Sequence, residues 1–328
     1  MLEDIYRVLY SISYFFGQKF NLIKVDTDAV FFPDRRKFVT QLGLGIAAIP
    51  FVSILHGVTR GKYNYTVNEI VLTFKNLPKA FDGFTITQIS DVHAGSFDNK
   101  KEVERGIGMI NMLKSDIVVF TGDLVNNYAS EFDQWVEVFN KIEAPLGKFS
   151  ILGNHDYGEY VPWDTLEEKQ QNLEKLINHH ANMGFNLLLN QSHILERDGQ
   201  KLVIAGVENY GLPPFPQYGD LDKALTNISK EDFTVLLSHD PSHWDEKVIN
   251  HSKDISLTLS GHTHGMQFGI EIPGFIKWSP VKYKYPRWAG LYQVAEKFLY
   301  VNRGFGFIGF SGRVGIWPEI TKITLRSA

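Results

Sequence analysis

The chain has 328 residues, 44% hydrophobic and 21% charged, enough for one large domain or two ordinary ones with a sizeable core. Its net charge of −4 argues against non-specific nucleic-acid binding, which needs a basic surface to neutralise phosphates. With no cysteine, disulfides, thiol nucleophiles and zinc–thiolate sites are excluded together.

The first sixty residues differ in character from the rest. Over 1–37, Glu3, Asp4, Arg7, Ser11, Gln18 and Asn21 fall on one helical arc, and Ile5, Leu9, Ile12, Phe16, Phe20 and Ile23 fall away from it. That pattern predicts an amphipathic helix, lying in a membrane interface or packed on a soluble domain. From Phe38 to Val58 there is no formal charge, a length that matches one bilayer crossing. Gly43, Gly45 and Pro50 would be costly in a soluble helix and are better tolerated in a membrane. Arg35 and Arg36 resemble part of a twin-arginine export signal, but no small-residue cleavage site follows, so a retained anchor over 38–58 is expected. Basic residues gather ahead of the span, placing its N-terminal side in the cytoplasm and the large domain outside.

From Tyr65 to the C-terminus, short β-rich runs alternate with helical stretches. Strands are predicted at 83–90, 116–121, 148–152, 201–205, 233–238, 255–260 and 298–302. Helices are predicted at 101–113, 131–141 and from Asp164, where Asp164 and Glu167 form a capping box and Gly184 closes the far end. This alternation is that of an α/β domain with parallel pairing.

Five loops at strand C-terminal ends carry metal-competent side chains. Asp91 and His93 follow the first strand, Asp123 the second, Asn154, His155 and Asp156 the third. His239 and Asp240 follow the 233–238 strand, and His262 and His264 the 255–260 strand. In open α/β sheets that edge is where ligands bind. Spaced two apart in extended backbone, Asp91 and His93 would point the same way and reach one ion. His262 and His264 would straddle two ions about 3.5–4 Å apart. Asp123 can bridge with its two oxygens, and Asn154 adds a neutral oxygen ligand.

This series, D-x-H, G-D, G-N-H-D, H and G-H-x-H, resembles that of the calcineurin-like metallophosphoesterases, in order from Asp91 to His264. The anchor and closing segment look like the membrane-tethered bacterial branch near the UDP-2,3-diacylglucosamine hydrolases of lipid A synthesis. The resemblance implies a four-layer α/β/β/α sandwich of two mixed sheets. It implies that Asp91, His93, Asp123 and His264 hold one divalent ion, and Asp123, Asn154, His239 and His262 a second. It further implies a two-metal phosphodiesterase or pyrophosphatase at the inner membrane, with a metal-bridged hydroxide as nucleophile and a phosphate-ester substrate, either a small molecule or, as the anchor and the aromatic loop suit, lipid-linked. His155 would donate to the leaving group or to the developing charge, with Asp156 orienting its imidazole. Nitrogen and oxygen donors leave manganese, iron and zinc all open. A metal-binding scaffold at the membrane, with a degenerate site, is the competing reading.

Arg303 and Arg313 are candidates for a phosphate contact or a structural salt bridge. His179 and His180 read as helix-end residues, and His56, His193, His243 and His251 as structural. Over 268–292, Phe275, Trp278, Tyr283, Tyr285, Trp288 and Tyr292 alternate with Lys277, Lys282, Lys284 and Arg287. Such mixing suits a bilayer interface, a lid over a lipid-linked phosphate, or an ordinary loop packed on the sheet.

Overall fold

A computed structural model of the chain describes residues 33–328 apart from Pro273, with side chains from Lys37 onward. The amphipathic helix expected over 1–37 falls, but for its last few residues, outside the described residues. Helix α1 (Pro33–Thr59) contains the expected span. Its 23 residues from Lys37 to Thr59 are about 35 Å long at 1.5 Å per residue, enough for a hydrocarbon layer of about 30 Å. Phe38, Leu42, Ile46, Ile49, Phe51 and Leu55 are all exposed, so the helix is apolar all round and covered by none of the described residues. A helix of that kind belongs in a membrane. The chain falls into two units, the second beginning at Val52, ahead of the expected Tyr65.

The second unit is built on fourteen strands. In chain order they are β1 (Thr66–Phe74), β2 (Thr85–Ile89), β3 (Ile117–Thr121), β4 (Lys148–Ile151), β5 (Asn186–Leu187), β6 (Gln191–Arg197), β7 (Gln200–Gly206), β8 (Thr234–Leu237), β9 (Leu257–Ser260), β10 (Ile270–Ile272), β11 (Ile276–Trp278), β12 (Gly290–Val294), β13 (Lys297–Val301) and β14 (Glu319–Ser327). They form two six-stranded sheets, β1-β14-β2-β3-β4-β5 and β12-β13-β9-β8-β7-β6, and a separate β10–β11 hairpin. Both sheets are mixed. Strands β2 to β5 run parallel with β14 antiparallel to β2, while β13, β9, β8 and β7 run parallel between antiparallel β12 and β6.

Burial defines four layers. Ile86, Ile117, Val119 and Ile151 of the first sheet meet Leu202, Ile204, Val235 and Leu259 of the second in one core cluster. The opposite face of the first sheet, Ile89, Val118 and Phe120, packs on α2 (Lys100–Met112) and α4 (Leu166–Asn182) through Val103, Ile107 and Leu176. The outer face of the second sheet packs Val203, Leu236 and Val301 on Leu221, Trp244 and Val248. The expected α/β/β/α sandwich is the observed fold. Central strands buried on both faces read as continuous apolar runs, which is why they were visible in the sequence.

Two helix details differ from expectation. The helix expected at 131–141 is a 3₁₀ segment, Ala129–Trp135, followed by one short helix, α3 (Val136–Asn140). Glu131 spends its carboxylate on the backbone N–H groups of Asn126, Asn127 and Tyr128, holding a tight turn where a helix was predicted. In α4 the cap is Thr165, whose Oγ1 accepts from Glu168 N, one residue later than the Asp164 box.

Candidate metal centre

Strands β2, β3 and β4 of one sheet and β8 and β9 of the other deliver their C-terminal loops to a common edge. There the structure gathers two clusters, Asp91–His93–His264 and Asp123–His239–His262, with the ligand atoms of each within 4.8 Å of one another. All the residues expected to bind metal are at this edge. Asp123 Oδ2 lies 3.5 Å from His93 Nε2 and 3.1 Å from His239 Nε2, between one imidazole of each cluster. Asp91 Oδ1 lies 3.3 Å from His264 Nε2. Asn154 donates its Nδ2 to Tyr160 Oη at 2.8 Å, which turns Oδ1 towards His262 Nδ1, also at 2.8 Å.

The loop backbone is not extended, as the two-apart spacing had suggested. Asp91, His93, Asp123, His262 and His264 all have positive φ, between 47° and 73°. Left-handed backbone at a non-glycine residue costs of order 1–3 kcal/mol and persists only where surroundings enforce it. Two glycines show the enforcement. A Cβ at Gly153 would fall on Asp123 Oδ1, and one at Gly261 on Ser90 Oγ and Asp91 Oδ2. Side-chain oxygens occupy the space that any larger residue would need.

Each ligand is aimed by a second group. His93 Nδ1–H donates to Val125 O at 3.2 Å and His239 Nδ1–H to Thr121 O at 2.7 Å, which turns both Nε2 atoms towards Asp123. Asp91 is held by His262 N–H at 2.9 Å, and Asp123 Oδ1 by His155 N–H at 2.9 Å. Backbone carbonyls of this kind fix the tautomer of ligating histidines.

Asp156 does something other than expected. It does not reach the His155 imidazole, whose Nδ1–H donates instead to Asn126 O at 2.7 Å. Its carboxylate accepts from Gly153 N at 2.8 Å, Asp123 N at 2.9 Å and Leu124 N at 2.8 Å, tying two metal loops together. Burial and the neighbouring Asp123 charge push Asp156 up to about 7, against the backbone donors. His155 itself is half-buried, packed against the Tyr160 ring at 4.6 Å.

Whether this donor set suits cations can be judged from the protein alone. The Nε2 atoms of His93, His239 and His264 are buried without a hydrogen-bond partner among the described residues. Such orphans are costly unless something else satisfies them. His239 is raised to about 10, burial opposing and the Asp123 and Asp91 carboxylates prevailing, so the anionic cluster draws in positive charge. The residues fit two divalent ions bound by nitrogen and oxygen.

Neighbours not assigned from sequence complete the site. Tyr285 Oη lies 2.8 Å from His262 Nε2, and buried Asp240 Oδ2 lies 3.4 Å from the same atom. Phe215 meets the His262 ring edge-on at 4.9 Å. Lone aromatics in loops carry no spacing signal, although Tyr285 did belong to the noted aromatic run. The two arginines are internal. Arg303 is clamped between Glu271 and Glu319. Arg313 donates to Gly306 O and approaches His264 Nδ1 at 3.1 Å. His179 and His180 are buried at the end of α4, and His243 bonds Ser238 at 2.8 Å; none of the three belongs to either cluster.

A four-layer sandwich with paired carboxylate–histidine clusters at one sheet edge presents two candidate metal-binding groups side by side. The chain belongs to the calcineurin-like phosphoesterase family, whose pattern residues 84–266 match. Residues 1–62 match a second family, described as "Probable Calcineurin-like phosphoesterase, transmembrane domain". With α1, this makes the chain a membrane protein. A Danio rerio transmembrane protein with a metallophosphoesterase domain is 30% identical over 296 residues, 88% of this chain but 63% of that protein. The Bacillus subtilis metallophosphoesterase YkuE is 34% identical, over 76% of this chain and 82% of its own. The UDP-2,3-diacylglucosamine pyrophosphatase LpxG of Chlamydia trachomatis is 30% identical, over 70% of this chain and 81% of its own.

Proposed function

We propose that this protein is a two-metal-dependent hydrolase of phosphodiester or pyrophosphate bonds in lipid-linked substrates. The observation that carries the reading is Asp123 Oδ2 held between imidazoles of two separate histidine clusters. Asp91, His93, Asp123 and His264 would hold one ion, and Asp123, Asn154, His239 and His262 the other. Two such ions, manganese, iron or zinc, supply a water acidified to near-neutral pKa and neutralise phosphoryl oxygens. His155, with Nδ1–H committed to Asn126 O, has its Nε2 edge free to carry a proton to the departing oxygen. Asp156 holds the loops on which Asp123 and His155 stand.

Support for a lipid-linked substrate comes from the anchor and from the named activity of the Chlamydia relative. We place the catalytic unit on the extracytoplasmic side of the inner membrane. Of the two cations just after the span, Lys62 is buried and paired with Asp98 at 2.5 Å, which leaves the N-terminal flank the more basic one.

The test is hydrolysis of bis-p-nitrophenyl phosphate by the full chain in detergent, stripped of metal and resupplied with manganese, iron or zinc. Turnover should return with metal and fall by at least 100-fold in Asp123→Ala and His155→Ala. Two ions bound with no turnover of that ester, nor of nucleotide or lipid pyrophosphates, would favour the metal-binding scaffold instead.

A further inference from the structure

The β10–β11 hairpin has inverted polarity. Its register pairs Ile270 with Trp278, Glu271 with Lys277, and Ile272 with Ile276. Because side chains alternate across a strand, the charged pair shares one face and the apolar pairs the other. A hairpin on a wet surface turns its charges outward. Here Glu271 turns inward to receive Arg303 Nε and Nη2 at 2.9 and 2.5 Å. Lys277 folds onto the Ala289 carbonyl and over the Trp288 and Tyr292 rings. Ile270, Ile272 and Ile276 are left exposed, and Phe275 at the tip is 86% exposed.

The base of this hairpin is bonded to the end of α1. Gly269 N donates to Val314 O at 2.9 Å, Val314 N to Gln267 O at 2.8 Å, and Arg313 N to Gly57 O at 3.2 Å. The approach at Gly57 is close enough that a Cβ there would strike Arg313 O and Val314. His56 meets Trp317 edge-on at 5.8 Å. The apolar hairpin face is thus continuous with the segment on which the apolar helix ends. Phe268 and Phe310, 43% and 37% exposed, extend the apolar surface between them.

We propose that the β10–β11 hairpin is a second membrane attachment, its apolar face and Phe275 tip inserting into the interfacial layer of the bilayer that α1 crosses. The occupant is a lipid surface, because the patch adjoins a membrane-spanning helix and carries its two charges on the protein side. The inference is independent of the catalytic reading, and its test requires no turnover.

The chain has no cysteine, so one introduced thiol reports one place. Phe275→Cys in the full chain is labelled with nitrobenzoxadiazole and reconstituted into phosphatidylcholine–phosphatidylglycerol vesicles containing lipid spin-labelled near the headgroup. Met112→Cys is the control. Met112 is exposed at the far end of α2, about 20 Å from the Asn99 end that adjoins the Lys62–Asp98 pair. The label at 275 should be blue-shifted and quenched at least twofold by the spin-labelled lipid, with the label at 112 unchanged. Ile272→Cys repeats the measurement with Phe275 intact. Labels at 272 and 275 that iodide in the water quenches as strongly as the label at 112, and that the lipid quencher leaves alone, would overturn the proposal. Protection that appears in detergent and rises with protein concentration would also overturn it, assigning the face to a second copy of the chain.

Discussion

Replacing Asp156 by alanine separates two roles for that carboxylate. In one it orients the His155 imidazole; in the other, which the structure shows, it ties the loop after β3 to the loop after β4. Three short hydrogen bonds from Gly153, Asp123 and Leu124 end on it in a fully buried place. Leaving a buried donor unsatisfied costs about 1–3 kcal/mol, so losing three acceptor sites should cost about 3–6 kcal/mol once some water enters. A domain's whole margin is about 5–15 kcal/mol. Asp123, at φ 62°, would also lose the bond that holds its backbone, and with it the bridge between the clusters. Urea unfolding of the full chain in detergent, with metal counted by mass spectrometry, should show that loss of stability and less than one ion per chain. Asp156→Asn should recover only part, since its amide nitrogen would face backbone donors. If Asp156→Ala keeps both ions and unfolds within about 1 kcal/mol of wild type while losing turnover, the loop-tie argument is refuted and the orienting role is restored.

Other outcomes follow from particular contacts. Tyr285→Phe removes the hydroxyl 2.8 Å from His262 Nε2 and should weaken metal retention against a chelator by about tenfold, with little change in unfolding midpoint. Arg303→Met leaves Glu319 buried without its guanidinium and should cost about 3–5 kcal/mol in urea unfolding. The double variant Arg303→Met with Glu319→Gln should lose less than the single one, because the stranded charge is gone. His180 is pushed down to about 3 by burial, so it stays neutral in the fold while the unfolded chain protonates near 6.5. Stability is therefore unaffected above that value and lost as pH falls below it, by about 1.4 kcal/mol per unit. Between pH 6.5 and 5, wild type should lose about 2 kcal/mol more than His180→Leu, read as the difference between their denaturation midpoints.

How much of this was legible depended on where each signal lay along the chain. The central strands and the ligands at their ends could be read because a doubly buried strand is a local apolar run and its loop follows at once. The membrane span was legible for the same reason. Strands β1 and β14 were not, since they pair residues some 250 positions apart and carry no motif. Nor was Tyr285, which reaches His262 across a loop whose course depends on the whole second sheet. The error at Asp156 is instructive. Adjacency to His155 suggested a side-chain pair, but after a strand end the chain turns into a 3₁₀ turn, and successive side chains there diverge. Its carboxylate was left pointing at backbone, where nothing in a residue pattern could announce the three donors that meet it.

The aim of the ligands comes from the protein and not from an ion. Asp91 is fixed by the N–H of His262, Asp123 by the N–H of His155, His93 and His239 by carbonyls, and Asn154 by Tyr160. Each ligand loop is therefore held by an atom of another loop, so the two sheets must be assembled before either cluster exists. That explains why five left-handed residues are tolerated together. Their strain is borne by a network that closes only in the complete sandwich, and it leaves the Nε2 atoms of His93, His239 and His264 facing the Asp91 and Asp123 carboxylates with no hydrogen-bond partner among the described residues. Such a centre is preorganised to receive charge, and reorganisation of its ligands adds little to the free energy of binding it.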